Sequence, residues 1–186
     1  ASDVYKRQGN TAIDALKTTV KDNYTNEHLE WAKGSRLIMV TAHRRENLGE
    51  PMTYMFRAIR RVMDEHPDVK AIYPIHMNPA VRERAEKELA GCDRIKIIEP
   101  LEVLDFHNFL NKSYIIMTDS GGIQEEAPSL GKPVLVLRDT TERPEGVGAG
   151  TLKLAGTNEE TIYELTKKLL INEIEYSNMS KSSNPY

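Results

Sequence analysis

The stretch from Thr118 to Gly146, TDSGGIQEEAPSLGKPVLVLRDTTERPEG, decides the fold. A buried-looking strand ends at Thr118, a glycine pair opens a short helix, and Gly131 with Pro133 closes that helix before the apolar run PVLVL. Strand, helix and strand in such close succession are typical of a parallel sheet, because parallel neighbours need a crossover connection. The acid pair inside the helix and the arginine in the loop after the second strand indicate a place for a ligand.

The same alternation of strand and helix extends along the chain from Arg36 onward. Short apolar runs, as expected of strands covered on both faces, lie at 37–41, 69–75, 94–98, 114–118, 133–137 and 151–155. Helices are predicted between these strands. Apolar residues at helical spacing follow Pro51, and an Asn78-Pro79 cap precedes a charged helix that ends near Gly91. A short helix runs from Val103 to Asn111, and a capping box of Thr157 with Glu160 precedes a helix through Leu170. We therefore predict an α/β fold with an open, Rossmann-like, three-layer parallel sheet.

Length and composition limit the class of protein. The chain has 186 residues, enough for one domain with a sizeable core, and 25 basic against 28 acidic residues give a net charge of −3. This balance gives no reason to expect nucleic acid or a membrane surface as a partner. The single cysteine, Cys92, cannot form an internal disulfide, and no apolar run approaches the roughly 18 residues of a membrane span. We expect a cytoplasmic protein.

Polar, non-periodic residues collect in the loops that follow four of the predicted strands. Open parallel sheets bind ligands at the carboxyl ends of their strands, so we predict the site there. The four loops are AHRREN (42–47), HMNP (76–79), DSGG (119–122) and RDTTERPE (138–145).

The DSGG loop has the chemistry of an anion site. Glycines let the backbone approach a ligand closely, and amides at a helix start carry a partial positive charge. Gly121 and Gly122 would in this way help to hold a diphosphate, and Ser120 adds a hydroxyl donor. A glycine pair alone also fits an ordinary strand-to-helix turn, and its spacing is not that of a P-loop.

The residues after the glycines extend this interpretation from phosphate to nucleoside. Glu126 lies one turn further along the helix, where a glutamate accepts hydrogen bonds from a vicinal diol, as the acid of dinucleotide-binding folds does for ribose. Glu125 is interpreted as an acid on a solvated helix face. Arg143 lies in a loop that Pro144 and Gly146 constrain, and its guanidinium is suited to bidentate contact with phosphate.

The histidines and the cysteine carry weaker signals. His43 in the AHRREN loop is suited to donate to a phosphate or to act as a general acid, whereas His76 fits a structural role as well as a functional one. Cys92 follows a glycine in a turn without activating neighbours, so we expect it to be inert. No group of histidines, cysteines and acids has metal-ligand spacing. Three histidines are expected on solvated surfaces: His28, His66 and His107.

Together these loops resemble the non-hydrolysing UDP-N-acetylglucosamine 2-epimerases. The motifs that carry the resemblance are GNTAIDAL (9–16), TAHRREN (41–47), YPIHMNP (73–79), the run from Met117 to Glu145, and NPY (184–186). The resemblance spans nearly everything from Gly9 onward and implies one half, the C-terminal domain, of a two-domain GT-B fold. Residues 9–186 would form this UDP-binding domain and residues 1–8 a non-native or artefactual leader, with the N-terminal catalytic domain and a terminal helix absent.

The resemblance also implies roles for individual residues. Ser120, Gly121 and Gly122 would bind the diphosphate, Glu126 would hold the ribose, and Arg143 would contact the UDP moiety.

Four further positions follow from the same motifs. Phe106 would lie near the uracil, and Leu101 stands where the family often has a glutamine that contacts the base. His43 would be a phosphate-side and catalytic residue, with Arg44 near a regulatory UDP-sugar site.

The implied reaction inverts C2 of UDP-N-acetylglucosamine and gives UDP-N-acetylmannosamine, a precursor of cell-envelope polysaccharides. UDP is eliminated to leave a 2-acetamidoglucal and then adds back, which requires no redox cofactor and no metal. The resemblance further implies a homodimer for the full-length protein, an allosteric UDP-N-acetylglucosamine, and no turnover by this chain alone. The alternatives are a GT-B glycosyltransferase, a hydrolysing 2-epimerase, and an isolated UDP-binding module.

Overall fold

A six-stranded parallel sheet forms the centre of the protein. The computed structural model describes residues 13–76 and 78–182, and the strand order across the sheet is β3-β2-β1-β4-β5-β6. The chain therefore builds outward from β1 to one edge and then returns to place β4 on the other side of β1. The strands are β1 (Arg36–Thr41), β2 (Val69–Pro74), β3 (Ile95–Ile98), β4 (Ile115–Thr118), β5 (Val134–Val136) and β6 (Leu152–Leu154).

Helices cover both faces of this sheet, so the predicted three-layer α/β fold is confirmed. Residues 13–19 are helical and are called α1 here. The other helices are α2 (Glu27–Ala32), α3 (Glu50–Glu65), α4 (Pro79–Glu88), α5 (Val103–Lys112), α6 (Ile123–Ser129), α7 (Pro144–Ala149), α8 (Glu159–Ile171) and α9 (Glu173–Lys181).

The two faces of β1 belong to two separate hydrophobic clusters. Ile38 and Val40 pack with apolar residues of α3, α4 and α8, whereas Leu37 and Met39 pack with those of α2, α5 and α6. Successive side chains of a strand point to opposite faces, so a strand buried on both faces must be apolar at every position. This requirement is the physical reason for the continuous apolar run that predicts the strand.

Helix α3 bears out its sequence signals. A proline stands in its first turn, and the residues at helical spacing are all buried: Met52, Met55, Phe56, Ile59, Val62 and Met63. The Asn78-Pro79 signal is confirmed as well, because the Asn78 side chain accepts a hydrogen bond from the amide of Ala80 at 2.9 Å.

The capping box of Thr157 with Glu160 is wrong. The cap of α8 is Asn158, whose Oδ1 accepts from the amide of Thr161 at 3.1 Å. Asparagine caps as well as threonine and lies one residue nearer to the helix. The Glu160 carboxylate instead accepts from Arg61 of α3 at 2.7 Å.

Helix α9 has no counterpart among the sequence predictions. Asn172 caps its first turn through the amides of Ile174 and Glu175, both at 3.1 Å. Its Tyr176 ring stacks on Tyr114 with centroids 4.0 Å apart, and the Tyr176 hydroxyl donates to the Tyr114 carbonyl at 2.9 Å. The helix is therefore held against the start of β4.

Some predictions fall outside the part of the chain that the structure describes. The proposed leader (1–8), the beginning of the GNTAIDAL motif and the closing NPY motif are among them. Among the described residues, no helix is long and apolar enough to cross a membrane.

Candidate functional site

The loops after β1 and β4 begin side by side at the point where the strand order reverses. Thr41, the last residue of β1, pairs with Thr118, the last residue of β4. The AHRREN and DSGG loops therefore leave the sheet at the same edge, and the RDTTERPE loop follows β5, the next strand across. A crevice at such a switch point is where open α/β sheets bind ligands.

Asp119 joins the first two loops. Its carboxylate is buried and accepts from the amides of His43 at 3.1 Å and Arg44 at 3.0 Å, and from Nδ2 of Asn47 at 2.7 Å. A buried carboxylate needs such donors, because an uncompensated charge would be costly to remove from water. In the sequence, Asp119 is only the first residue of the DSGG motif, and nothing local indicates this role. The bonds hold the backbone of the AHRREN loop while the His43 side chain stays exposed.

The three residues predicted to bind diphosphate differ in what they offer. The Ser120 amide donates to Oγ1 of Thr118 at 3.0 Å, so this amide is already used within the loop. At Gly121 a Cβ would lie 3.1 Å from Oε2 of Glu142, a close approach that favours glycine. Gly122 caps α6, and a Cβ there would have no heavy atom within 4 Å.

Gln124 connects the DSGG loop to the RDTTERPE loop. The side chain is fully buried, its Nε2 donates to the Ser120 carbonyl at 3.2 Å, and its Oε1 accepts from the Thr141 hydroxyl. The Thr141 oxygen in turn accepts from the amide of Arg143 at 2.9 Å. Neither residue stood out in the sequence, since a lone glutamine or threonine carries no local signal for a contact across the fold.

Arg143 is brought to the start of α6, as a phosphate-binding residue at this loop would need to be. Its Nε donates to Oε1 of Glu125 at 2.6 Å, and the two side chains are only 22% and 15% exposed. The interpretation of Glu125 as an acid on a solvated helix face is therefore wrong. The RDTTERPE loop folds over this part of α6 and supplies the ion pair.

Glu142 lies between two further arginines. Its Oε1 accepts from Arg44 at 3.2 Å and from Arg138 at 2.7 Å. The hydrogen bond from Arg138 is the main reason that the pKa of the Glu142 carboxyl lies below its usual value. Glu142 therefore stays ionised at neutral pH, and its charge is matched by arginines of two different loops.

Glu126 lies on the other side of the α6 start, next to α5. Its side chain is 21% exposed, and Oε2 is 3.6 Å from Nε2 of His107. Burial, and secondarily the charge of Glu125, raises the pKa of Glu126, and burial lowers the pKa of His107. Although the two groups are close, both shifts oppose a charged pair, so we regard the imidazole as neutral at neutral pH.

The expected solvation of three histidines is wrong in whole or in part. His107 is only 5% exposed, because α5 packs between α1 and α6. In His28 and His66 one ring nitrogen is buried, Nδ1 and Nε2 respectively, and has no hydrogen-bond partner in the described part of the chain. Polar flanking residues in the sequence therefore misled the prediction.

With this geometry established, comparison with known proteins is informative. The family model described as UDP-N-acetylglucosamine 2-epimerase matches residues 4–186. The chain belongs to this epimerase family. The match begins inside the stretch 1–8 that sequence reasoning set aside as a leader.

Three relatives illustrate the similarity. The UDP-N-acetylglucosamine 2-epimerase of Bacillus subtilis (strain 168) is 65% identical over 178 residues, which are 96% of this chain and 47% of the relative. The S. aureus MnaA-UDP co-structure is 58% identical with a TM-score of 0.90, covering 95% of this chain and 48% of that one. A Neisseria meningitidis UDP-GlcNAc 2-epimerase bound to UDP-GlcNAc is 42% identical with a TM-score of 0.81, covering 94% and 49%. The chain therefore spans about half the length of these epimerases, as one half of a GT-B fold does.

Other residues that the epimerase resemblance singled out lie at two places. Phe106 and Leu101 are half-buried and pack against the core beneath α5. His76 follows β2 and is exposed. Next to Phe106, α5 opens with Val103 and Leu104, which are 67% and 48% exposed, so the start of α5 presents an apolar surface.

Proposed function

We propose that this chain is the UDP-binding half of a UDP-N-acetylglucosamine 2-epimerase, formed by residues 9–186. The observation that carries the proposal is the position of Glu126. Its carboxylate is partly buried, lies within one turn of the glycine pair, and stays on the side of α6 away from the Glu125–Arg143 pair. An acceptor-only group placed beside an anion site suits the ribose of a nucleoside diphosphate.

The phosphates would lie over Gly121 and Gly122, with the Ser120 hydroxyl and Arg143 as further donors. Glycine at 121 lets an anion come close to the backbone, and Arg143 is already held near this point, since its Nη2 is 3.6 Å from a Cβ placed on Gly121. Arg143 would exchange part of its contact with Glu125 for phosphate oxygens.

The uracil would lie near Phe106, towards the apolar start of α5. The exposed side chains of Val103 and Leu104 support a base-binding surface there, because the flat face of a base is better placed against apolar groups than against charge. Leu101 offers no polar side-chain contact to the base, so recognition of uracil would depend on backbone groups.

In the proposed reaction the C2 proton of the sugar is removed as the bond from C1 to the UDP oxygen breaks, and a C1–C2 double bond forms. UDP then adds back to C1, and C2 takes up a proton on the opposite face. Donors that meet the charge on the leaving phosphate stabilise the transition state. His43, exposed at the end of β1, is the catalytic candidate on this chain, because it can donate to that phosphate.

The remaining roles belong to the same proposal. The groups that exchange the C2 proton would lie in the part of the relatives that this chain does not span. A regulatory UDP-sugar would contact Arg44, the full-length protein would be a cytoplasmic homodimer, and it would supply UDP-N-acetylmannosamine for cell-envelope polysaccharides.

The test is a calorimetric titration of UDP into the chain and into two matched variants, Glu126→Ala and Glu125→Ala. We expect Glu126→Ala to weaken binding roughly tenfold or more, because hydrogen bonds to a charged group contribute about 1.5–3 kcal/mol. Glu125→Ala should cost less, since it removes a carboxylate that competes with phosphate for Arg143. Glu83→Ala, at an exposed position of α4, serves as the control for a lost surface charge. Equal losses at residues 125 and 126 would contradict the ribose assignment.

A further inference from the structure

We propose that His107 is a positioning residue for Glu126, and that a chain of contacts from Thr19 through His107 to Glu126 makes binding of a ribose diol depend on pH. The inference rests on the proposed function, in which Glu126 accepts the diol. It adds a residue behind that carboxylate and a proton-linked control of the same site.

The His107 ring is enclosed between α1 and α6. Its Nδ1 is 2.7 Å from Oγ1 of Thr19, and its Nε2 is 3.6 Å from Oε2 of Glu126. The side chains of His107 and Glu126 are 6% and 21% exposed, respectively. Glu126 is thus the member of the pair that a ligand can reach, and His107 acts on the ligand only through it.

The contact with Thr19 determines which ring nitrogen carries the proton. Oγ1 of Thr19 donates to the Ala15 carbonyl at 3.0 Å, and a hydroxyl has only one hydrogen to give. We infer that towards His107 this oxygen accepts, which assigns the ring proton to Nδ1. In the neutral ring Nε2 then has a bare lone pair, and it is this atom that lies beside the Glu126 carboxylate.

A lone pair beside a carboxylate is favourable only when one proton lies between them. Burial works against charge on either group, since it lowers the pKa of His107 and raises that of Glu126. As pH falls, the pair therefore takes up a single proton in the neutral form, with the Glu126 carboxyl donating to Nε2 of His107. This proton belongs to the pair and titrates as one step.

A ribose diol reverses this preference. Two hydroxyl groups that donate to Glu126 stabilise the ionised carboxylate, so diol binding expels the shared proton. Unliganded protein then binds more protons than the complex, and affinity for the diol must rise as pH rises through the titration of the pair.

The charged groups of the neighbouring elements do not remove this effect. On α6, Glu125 adds to the raised pKa of Glu126 but is itself paired with Arg143 at 2.6 Å. On α5, Asp105 accepts from the Tyr24 hydroxyl at 2.5 Å.

On α1, the nearest acid and base pair with each other. Asp14 and Lys17 lie 3.5 Å apart and are well exposed. His107 and Glu126 are thus left to share their proton within this part of the site.

The experiment compares UDP with its dideoxy analogue, which lacks the ribose diol. The ratio of their calorimetric affinities isolates the diol, because titration of the phosphates affects both ligands alike. For the unsubstituted chain we expect this ratio to rise several-fold between about pH 5.5 and about pH 8, by at most about tenfold per pH unit for one proton.

The decisive variant is His107→Asn. Its short amide can replace Nδ1 as a donor to Thr19, but it has no atom that reaches Glu126. We expect a folded protein, as judged by an unchanged circular dichroism spectrum, whose ratio at about pH 5.5 rises towards its value at about pH 8, because the protonated Glu126 has lost its acceptor. The matched control is His66→Asn, at the entrance to β2, which should keep the full pH dependence.

The outcomes separate this inference from the function on which it rests. If the chain binds UDP but the affinity ratio does not change with pH, the proposed role of His107 is wrong. The same holds if His107→Asn keeps the pH dependence of the unsubstituted chain. Neither result contradicts the UDP site itself. Absence of UDP binding by the unsubstituted chain overturns both.

Nitrogen NMR of the unliganded chain gives an answer that does not depend on UDP. We expect His107 to be protonated at Nδ1, and its titration to shift in Glu126→Gln. A ring protonated at Nε2, or a titration indifferent to Glu126→Gln, overturns the inference.

Discussion

At the scale of single residues, three arginines at the candidate site, Arg44, Arg138 and Arg143, are already paired with carboxylates. Glu142 accepts from Arg44 and Arg138, and Glu125 accepts from Arg143. In the proposed function, a diphosphate would therefore compete with carboxylates for the same guanidinium groups. Glu142 is the more accessible competitor, because its side chain is 49% exposed, and its oxygen lies beside the position that a Gly121 side chain would occupy.

The substitution Glu142→Gln tests this competition. It removes the negative charge but keeps the shape, so we expect UDP to bind about threefold more tightly at low salt, because half-exposed ion pairs contribute less than about 1 kcal/mol. The gain should shrink as salt screens it. Glu46→Gln is the control, since Glu46 lies 3.8 Å from the same Arg44 and is well exposed. Weaker binding in Glu142→Gln, measured by calorimetry, would mean that Glu142 supports the ligand instead.

At the scale of elements, one short helix sets the shape of the RDTTERPE loop and its exit. Helix α7 follows Arg143 directly and ends at Gly150, whose φ of 84° favours glycine. Within the helix Gly146 is buried against β6, where a Cβ would lie 2.5 Å from Cδ1 of Leu152. The sequence predicts a constrained loop here. It does not predict a helix, because glycine has a low helix propensity and this helix contains two glycines.

Two alanine substitutions in α7 distinguish the effect of side-chain packing on stability from the effect of helix propensity. Gly146→Ala should lower the free energy of unfolding by about 1–3 kcal/mol, because the buried Leu152 must move to admit a methyl group. Gly148→Ala has open space around the new Cβ and should be neutral or stabilising by up to about 1 kcal/mol. Urea denaturation of both variants measures the difference. A Gly146→Ala protein as stable as Gly148→Ala would contradict the described contact between α7 and β6.

At the scale of the whole molecule, the strand order places the loops of the candidate site at one edge of the sheet. The loops after β1, β4 and β5 are neighbours there, and they contain the glycine pair, the arginines and His43. The proposed site would thus bind the UDP group, which in the proposed reaction is eliminated from the sugar and then adds back to it. The chain spans 47% of its Bacillus subtilis relative, and the proposal assigns the C2 acid–base groups to the remainder.

It follows that this chain alone should bind UDP and catalyse nothing. We expect no UDP-N-acetylmannosamine and no free UDP when it is incubated with UDP-N-acetylglucosamine and the products are followed by NMR. Epimerised product would contradict the assignment of acid–base groups to the missing part. Free N-acetylmannosamine would indicate a hydrolysing epimerase, and a product formed only with an added acceptor would indicate a glycosyltransferase.

The sequence by itself determined the six strands, the helices α3 to α6 and α8, the parallel arrangement and the family, because apolar periodicity and loop motifs are local properties of the chain. The run Leu37–Thr41 is typical of a strand covered on both faces, and the run from Met117 to Glu145 carries much of the resemblance to the epimerase family. Only the tertiary structure shows how the site is held together. Asp119 links two loops through hydrogen bonds, Glu125 forms an ion pair with Arg143, and the buried ring of His107 lies next to Glu126. These contacts join residues that are 18 to 76 positions apart, and burial and charge pairing depend on which strands and helices become neighbours in the fold.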